Sequence, residues 1–295
     1  MEEQNILEQF KSIKTWQSKG TRAPHKPLLM LLALGEIQRG NAGFIPYATI
    51  EPRLKDLLVD FGPPRKTIYS TFPFIRLAND GLWQFNKPEL LNTKQDYTSK
   101  YLLSNDVQGK FPDEIVQHLK KNPSLLSSVA ELILEQNFPE TIHQDILDAV
   151  GLQITFNPSV SRPVRRRDPL FRENVLKAYE YQCAVCGFSV RLKNKILALE
   201  AAHIKWHQAG GPDEEVNGLA LCATHHKLFD LGAFTLNYEL QMLVSDEVNG
   251  QGANEWLIQH HGKYIKPPQK KAFYPSPNFT AWHVNEVFKG GYREC

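Results

Sequence analysis

Three cysteines and a histidine in the second half of the chain have the spacing of a metal site. Cys183 and Cys186 form a Cys-x2-Cys pair, and Cys222 and His225 form a second pair with the same spacing. Thiolates and imidazoles are the ligands that Zn²⁺ binds in tetrahedral structural sites, and two such pairs supply four of them. The pattern therefore predicts a structural Zn²⁺. The alternative is four unrelated buried residues, because His226 competes with its neighbour for the place of the fourth ligand.

The segments around these ligands have the pattern of a small mixed unit. A helical pattern runs from Asp168 through FRENVLKAYEY to the first cysteine pair. Strand-like residues follow at 196–203 and 216–222, separated by a loop at 208–215 that is rich in Gly, Pro and acidic residues. A further helical pattern covers 223–231. After the first helix, the predicted order is strand, loop, strand and helix.

Two stretches inside this frame, LEAAHI at 199–204 and EVNGLALCATHHKLFDLG at 215–232, resemble the HNH nuclease family, which has a ββα-metal fold. The resemblance covers roughly residues 169–295. It implies three catalytic residues, which are His203 on the first strand, Asn217 on the second strand and His226 on the helix. It also implies that the two ligand pairs form a structural zinc knuckle, and that Asn217 fixes the loop and orients His203.

The residue types in this motif suit the hydrolysis of a phosphodiester, which needs an activated water and a cation at the scissile phosphate. A neutral imidazole such as that of His203 can take a proton from water. His226 and Asp230 lie four residues apart on the predicted helix, so they share a face and could both bind a catalytic Mg²⁺ or Mn²⁺. An alanine precedes His203 where many members have a metal ligand, so Asp230 or Glu200 is expected to complete the site. Alternatively, Asp230 lies on an exposed surface of the helix and binds no metal. His207 is expected at the surface or behind the site.

Basic residues in the first half of the chain stand beside aromatic residues and prolines. They occur in Arg22-Ala23-Pro24-His25-Lys26, in Arg65-Lys66 and in Phe72-Pro73-Phe74-Ile75-Arg76. This combination suits a phosphate flanked by an apolar pocket. Composition alone favours a simpler interpretation, a helix-capping loop and core aromatics.

Three motifs here resemble the sulfur-binding domain of restriction endonucleases that act on phosphorothioated DNA. They are RAPHKPLL at 22–29, FGPPRK at 61–66 and FPFIRLANDGLW at 72–83, and the resemblance spans about residues 5–150. It implies an apolar cavity for the sulfur atom, with basic residues around the phosphate. The DNA-binding residues expected on this basis are Arg22, His25, Lys26, Arg65, Phe72, Pro73 and Arg76.

Composition and length restrict the class of protein. The chain has 295 residues, of which 42% are hydrophobic and 22% charged, as expected for a globular protein of about two domains. None of the 4 cysteines precedes Cys183, which argues against a disulfide-stapled secreted protein. The apolar run at 28–34 is too short to span a bilayer, and the acidic start is not a signal peptide, so we expect a cytoplasmic protein without membrane contact.

The predicted fold class is α+β, with a mainly helical N-terminal DNA-reading domain linked to a ββα-metal domain with a zinc knuckle. We expect domains at 1–156 and 169–295, joined by a linker at 157–168 that contains two prolines and four arginines. In the first domain the patterns predict helices and a small hairpin turning at Asn79-Asp80-Gly81. The predicted helices are 1–20, a helix from Pro27 to Gly40, 51–60, 113–121, 124–137 and 139–150.

The sequence thus favours a type IV-like restriction endonuclease that binds phosphorothioated double-stranded DNA. One alternative is an HNH nuclease that reads a modified base such as methylcytosine. Another is a non-catalytic DNA-binding protein stabilised by zinc. A double-strand break made with one active site per chain further suggests a homodimer or two successive nicks.

Overall fold

A computed structural model describes residues 3–13, 20–155 and 168–294. The chain divides into two compact units, Met1–Arg162 and Pro163–Cys295. Helices occur with small sheets in both units, so the predicted α+β class is confirmed. The predicted linker, apart from Asp168, lies outside the described residues, and its boundaries therefore stay a prediction. No helix in the described part of the chain is long and apolar enough to cross a membrane.

The first unit is built around one buried helix. Its helices are α1 (Glu3–Lys11), α2 (His25–Gln38), α3 (Tyr47–Phe61), α4 (Thr71–Arg76), α5 (Ser99–Ser104), α6 (Asp113–Lys121), α7 (Pro123–Asn137) and α8 (His143–Val150). All residues from Pro27 to Ile37 in α2 are buried, and this helix contacts α3, α4, α6, α7 and α8. A helix that is apolar on every side is stable only where other elements surround it, which explains the apolar run in the sequence.

Helix α2 begins earlier than the sequence predicted. His25 and Lys26, expected in a non-helical lead-in, form its first turn, and Pro27 follows them inside that turn. Proline is tolerated there because the N–H groups of the first turn have no partner within the helix. The predicted helices at 51–60, 113–121, 124–137 and 139–150 are confirmed, the last with a 3-10 turn at Glu140–Ile142 before α8. The predicted helix at 1–20 is observed only as α1, and 14–19 lie outside the described residues.

The hairpin predicted at Asn79-Asp80-Gly81 is wrong. Helix α4 and a 3-10 turn at Leu77–Asp80 occupy this stretch, and Gly81 ends the turn with a φ of 73°. A left-handed glycine serves both hairpins and helix ends, so the turn signal was ambiguous. The sheet of this unit instead joins distant strands, β1 (Ile45–Pro46), β2 (Gln84–Phe85) and β3 (Gln108–Lys110), in the antiparallel order β1-β3-β2.

An ion-pair network around the buried Glu36 carboxylate ties α2 and α3 to the end of α8. The Glu36 carboxylate accepts hydrogen bonds from Arg39 at 2.6 Å and from Arg53 at 2.5 Å. Arg39 also donates to the carbonyl oxygens of Val150 at 3.0 Å and Gly151 at 2.7 Å. These carbonyls end a helix and have no partner within it, so Glu36 indirectly stabilises the C-terminus of α8.

The second unit contains the predicted ββα arrangement. Helix α9 (Pro169–Ala178) is followed by the hairpin of β4 (Val190–Leu192) and β5 (Lys195–Leu197), then by β6 (Leu199–His203), β7 (Gly218–Cys222) and α10 (Ala223–Asp230). Strands β6 and β7 pair antiparallel, with Leu199 opposite Cys222 and His203 opposite Gly218. The remaining elements are β8 (Phe234–Leu236), β9 (Met242–Val244), α11 (Ala253–Trp256) and α12 (Pro277–Glu286).

Two local details differ from the predicted strands. Residues 196–203 form two strands rather than one, because Ala198 has a φ of 49° and breaks the extended chain between β5 and β6. Asn217 lies in a 3-10 turn, Glu215–Asn217, directly before β7 and not on the strand itself. The predicted helix after the second strand is confirmed as α10.

The Glu36 network predicts an acid-dependent stability. Burial opposes the charge of Glu36, but hydrogen bonds from Asn41, Arg39 and Arg53 outweigh it and lower its pKa from 4.5 to about 2. Because the folded pKa lies below the unfolded one, this stabilisation is complete above about pH 4.5 and is lost as the pH falls towards about 2. Glu36→Gln should therefore lower the free energy of unfolding near neutral pH by about 2 to 3 kcal/mol and flatten its dependence on acid.

Calorimetry of the full chain over this pH range measures the effect, and Glu89→Gln, which removes an exposed carboxylate, is the control. Equal stability of the two variants throughout the range would contradict the account.

Candidate functional site

The four predicted zinc ligands come together in the second unit. The Sγ atoms of Cys183, Cys186 and Cys222 and a ring nitrogen of His225 all lie within 4.8 Å of one another. His225 Nδ1 is 3.2 Å from Cys222 Sγ and 3.7 Å from Cys183 Sγ. Among the described residues, these four side chains form the cluster that could hold a metal ion. Their soft sulfur and nitrogen ligand atoms fit a tetrahedral metal ion.

The orientation of His225 decides which of two adjacent histidines belongs to this cluster. His225 Nε2 donates a hydrogen bond to the carbonyl oxygen of Trp256 at 2.8 Å. This bond places the ring proton on Nε2. The lone pair of Nδ1, on the side of the cysteines, is then available to bind a metal ion. His226 instead contacts Glu200, and His225 is the histidine that the fold brings to the three cysteines.

His226 lies between two carboxylates. Its Nδ1 is 2.6 Å from Glu200 Oε2, and its Nε2 is 3.2 Å from Asp230 Oδ2. Burial would lower the pKa of His226, but the charge of Asp230 and the hydrogen bonds to both carboxylates outweigh it and raise the pKa to about 9. The hydrogen bond from His226 in turn lowers the pKa of Glu200. In this arrangement the ring is an imidazolium that donates to both acids.

The two carboxylates contact opposite nitrogens of the ring. Asp230 shares a helix face with His226, as its spacing predicted, but it faces Nε2, whereas Glu200 on β6 faces Nδ1. A metal on His226 Nδ1 would have Glu200 beside it, and a metal on Nε2 would have Asp230, so either carboxylate could complete the pair once the ring loses the proton on that nitrogen. The other carboxylate would then orient the ring from behind, as carboxylates behind metal-bound histidines do.

His203 at the end of β6 pairs with an acid that sequence analysis missed. Its Nε2 is 2.7 Å from Asp213 Oδ1, and its ring stacks on Phe171 with centroids 4.0 Å apart. Asp213 Oδ2 accepts a hydrogen bond from the Asp168 N–H at 2.6 Å. Burial would raise the pKa of Asp213, but these hydrogen bonds outweigh it, and the pKa lies below its ordinary value. The only signal in the sequence was the acidic character of the loop at 208–215.

Asn217 closes the loop between β6 and β7. Its fully buried carboxamide accepts from the Lys205 N–H at 2.8 Å and donates to the carbonyl oxygens of Lys205 at 3.0 Å and Pro212 at 2.9 Å. The two ends of the loop approach so closely at Gly211 that a Cβ there would lie 1.8 Å from the Lys205 carbonyl oxygen. Asn217 therefore fixes Lys205, two residues after His203, and Pro212, the residue before Asp213.

His203 and His226 are connected through one strand. Glu200, the residue that contacts His226, stands three positions before His203 on β6. Three residues of extended chain rise about 10 Å. Strand β6 therefore carries both His203 and the Glu200 carboxylate that contacts His226.

In the first unit, all seven residues predicted to bind DNA line one cavity. Its volume is about 330 Å³. The predicted residues in its lining are Arg22, His25, Lys26, Arg65, Phe72, Pro73 and Arg76, and Thr21, Ala23 and Pro63 complete it. The cavity lies at the start of α2 and of α4, so three separate motifs of the sequence meet there.

The cavity combines an apolar wall with a positive field. Phe72 stacks on Tyr69 with ring centroids 5.0 Å apart, and the Arg76 guanidinium lies 5.1 Å from the Phe72 centroid. Burial, together with the charges of Arg65 and Arg22, lowers the pKa of His25, which is therefore neutral near pH 7. A neutral imidazole amid arginines can donate or accept a hydrogen bond without adding charge.

Two of the predicted basic residues already have acidic partners. Lys26 Nζ lies 2.5 Å from Asp80 Oδ2, and Arg76 lies 2.6 Å from Asp96 Oδ1. The Lys26 pair is largely buried, whereas the Arg76 pair is exposed. Arg22 is buried and donates to the carbonyl oxygen of Phe61. A phosphate at the cavity would therefore compete for Arg76 more easily than for Lys26.

The first unit matches a known domain family over more than half of the chain. Residues 3–155 match the family described as ScoMcrA-like, DNA sulfur-binding domain. The chain belongs to this family. The sulfur-binding domain predicted from the three motifs is thereby confirmed.

Residues 183–237 of the ScoMcrA-like chain match the family described as HNH endonuclease. The match includes the Cys/His cluster, His203, Asp213, Asn217 and α10. The predicted endonuclease class is confirmed, and the chain combines a DNA sulfur-binding domain with an HNH endonuclease domain.

Solved structures similar to this chain include the sulfur-binding domain of ScoMcrA complexed with phosphorothioated DNA. The two share 19% identity with a TM-score of 0.44, and the match covers 50% of this chain and 95% of that one. The corresponding SprMcrA complex has 20% identity, a TM-score of 0.45, and coverages of 52% and 95%. The modification-dependent TagI restriction endonuclease has 23% identity, a TM-score of 0.30, and coverages of 46% and 41%. Comparison with curated proteins gave no match.

The opposite orientations of two adjacent histidines predict a difference in metal content. His225→Ala removes a ligand from the Cys/His cluster and should abolish the metal that the purified protein retains through gel filtration. His226→Ala is the matched control and should retain about one ion per chain, because His226 faces Glu200 and Asp230. Elemental analysis by mass spectrometry measures both. Loss of the retained metal from His226→Ala and not from His225→Ala would show that the assignment is reversed.

Proposed function

We propose that the protein is a modification-dependent restriction endonuclease that binds phosphorothioated double-stranded DNA and hydrolyses its phosphodiester bonds. One observation carries the proposal: the seven residues chosen from separate motifs line a single cavity, in a chain that also holds an HNH endonuclease domain. The similar sulfur-binding domains of ScoMcrA and SprMcrA were solved in complex with phosphorothioated DNA, which supports the same substrate.

Selection of sulfur over oxygen follows from the apolar part of the cavity. A phosphorothioate replaces one non-bridging oxygen with sulfur, which is larger and accepts hydrogen bonds poorly. Phe72 and the buried Pro73 would remove water from that atom. Burial of an oxygen without a hydrogen-bond partner costs about 1 to 3 kcal/mol, which is roughly a tenfold to hundredfold loss of affinity. Sulfur avoids most of this cost.

The remaining charge of the phosphate requires cations. Arg22, Arg65 and the neutral donor His25 line the cavity beside the apolar wall, and the acid paired with Arg76, Asp96, is exposed. Charge-assisted hydrogen bonds from guanidinium groups to phosphate oxygens are strong and directional. We propose that these residues bind the phosphate, and that Lys26 contributes through its field because Asp80 holds its ammonium group.

In the endonuclease domain, we propose that His203 is the general base. A water gives a proton to His203, its oxygen bonds to phosphorus, and the bond from phosphorus to the 3′ oxygen breaks with its electron pair on that oxygen. A bound Mg²⁺ or Mn²⁺ would stabilise the negative charge of the transition state and of the leaving oxygen. His226, in its neutral form, would hold this ion together with Asp230 or Glu200, the carboxylates on either side of its ring. Zn²⁺ is the ion proposed for the Cys/His cluster, where its role is structural.

Two further parts of the proposal concern the setting of the reaction. A cytoplasmic location fits an enzyme whose substrate is DNA and whose cysteines serve a metal cluster. A double-strand break needs two cuts, so we propose that two chains act together or that one chain nicks twice.

The proposed general base is tested by His203→Ala. This variant should bind a phosphorothioated duplex as the wild type does, and its cleavage rate should fall by about 100-fold or more, the typical contribution of general-base catalysis. A binding titration and a single-turnover cleavage assay with Mg²⁺ and with Mn²⁺ measure the two properties. Cleavage at the wild-type rate would refute the role of His203. Absence of cleavage by the wild type with any divalent metal would favour the non-catalytic DNA-binding alternative.

The proposed sulfur cavity is tested by Phe72→Ala. The wild type should bind a phosphorothioated duplex at least about tenfold more tightly than the matched unmodified duplex, and Phe72→Ala should lose most of this preference because water then reaches the sulfur. Phe44→Ala is the matched control, since Phe44 also carries a cation over its ring, Lys110 at 4.5 Å, but does not line the cavity.

Fluorescence titrations of the three duplexes, phosphorothioated, unmodified and cytosine-methylated, measure this preference. Preferential binding of the methylated duplex by the wild type would instead support recognition of a modified base.

A further inference from the structure

The loop between β6 and β7 holds an acid that fits the role of a second residue in proton transfer. Asp213 lies ten positions after His203 in the chain, yet its Oδ1 is 2.7 Å from His203 Nε2. An ionised carboxylate only accepts hydrogen bonds, so the ring proton of His203 must be on Nε2. A neutral ring with its proton on Nε2 has its lone pair on Nδ1, so Nδ1 is the nitrogen that would take a proton from water in the proposed reaction. We propose that Asp213 is a positioning residue that sets this tautomer of His203 and stabilises the imidazolium formed during cleavage.

The carboxylate of Asp213 is itself fixed by its surroundings. Oδ2 accepts from the Asp168 N–H at 2.6 Å, and His207 Nε2 lies 3.8 Å from the same oxygen. Asn217 holds the preceding residue, Pro212, through its carbonyl oxygen. Asp213 thus has one oxygen for His203 and one for the backbone, and the loop that carries it cannot shift without breaking the Asn217 hydrogen bonds.

The ring of His203 is restrained in a second direction. Phe171 on α9 stacks on it with an interplanar angle of 14°. Stacking fixes the plane of the imidazole, and the hydrogen bond to Asp213 fixes its rotation within that plane. An imidazole held in both ways needs little reorganisation when the proton arrives, which is how an acid partner assists a general base.

The two acceptors of Asp213 make Asp213→Asn a specific test. An asparagine side chain has one acceptor oxygen and one NH₂ group. The Asp168 N–H can only donate, so the amide oxygen should turn to it and the NH₂ group should face His203 Nε2. Nε2 must then accept the hydrogen bond, so the ring proton moves to Nδ1. A general base must have Nδ1 unprotonated, so this tautomer cannot take a proton from water.

This inference rests on the proposed role of His203, and the experiment keeps the two apart. With the full-length protein and Mg²⁺, Asp213→Asn should lower kcat on phosphorothioated DNA by about 100-fold to 10,000-fold while KM changes less than about threefold. Asp213→Glu keeps two acceptors and should recover at least about tenfold of that loss. Glu214→Gln, which removes an exposed charge from the neighbouring position, is the matched control and should cleave as the wild type does.

Nitrogen-15 NMR of the histidine rings gives a readout that a purely structural role would not change. In the wild type, His203 should carry its proton on Nε2, and in Asp213→Asn on Nδ1. A wild-type ring protonated on Nδ1, or an Asp213→Asn variant that cleaves like Glu214→Gln, would overturn the inference. If Asp213→Asn does not fold, the inference is tested by the tautomer of His203 in the wild type and by the cleavage rate of Asp213→Glu. If His203→Ala cleaves normally, the proposed function fails instead.

Discussion

The hydrogen bonds of the Asn217 carboxamide are the constraint on which the endonuclease site depends. They join Lys205, two residues after the end of β6, to Pro212, the residue before Asp213, across a loop that Gly211 allows to close. A buried carboxamide that satisfies three backbone groups is costly to disturb, because each group would then be left without a partner. The hydrogen-bonded pair of His203 and Asp213 is therefore held by the fold itself.

The Cys/His cluster fixes the other end of the same hairpin. Cys222 is the last residue of β7, and His225 lies in the first turn of α10. The next residue, His226, points from the same turn towards Glu200 on β6. The first turn of α10 thus carries one residue of the Cys/His cluster, His225, and one residue of the candidate catalytic metal site, His226. Metal in the cluster would hold the helix in register with the strand that carries Glu200 and His203.

Sequence reasoning found residues that chemistry marks by type and spacing. The cysteine pairs, the ββα order and the basic and aromatic motifs of the first unit were predictable because ligand spacing and motif composition are local. What it missed depends on tertiary contacts. Asp213 is one acid among three in its loop, and only the closure of that loop selects it. The opposite directions of His225 and His226, and the placement of Glu200 and Asp230 on different ring nitrogens, likewise arise from packing.

The errors in the fold have a similar origin. The Asn79-Asp80-Gly81 signal occurs in hairpins and at helix ends, and the burial of Phe74, Ile75 and Leu77 decides for the helix. Pro27 suggested a helix start two residues too late, because a proline within the first turn breaks no hydrogen bond.

The central claim is that one chain couples recognition of a sulfur-modified phosphate to cleavage by an HNH site. The most direct measurement is a cleavage assay on two plasmids of identical sequence, one phosphorothioated and one unmodified, with and without Mg²⁺. The account predicts cleavage of the modified plasmid in the presence of the metal and little cleavage in the other three reactions. Equal cleavage of both plasmids would contradict it.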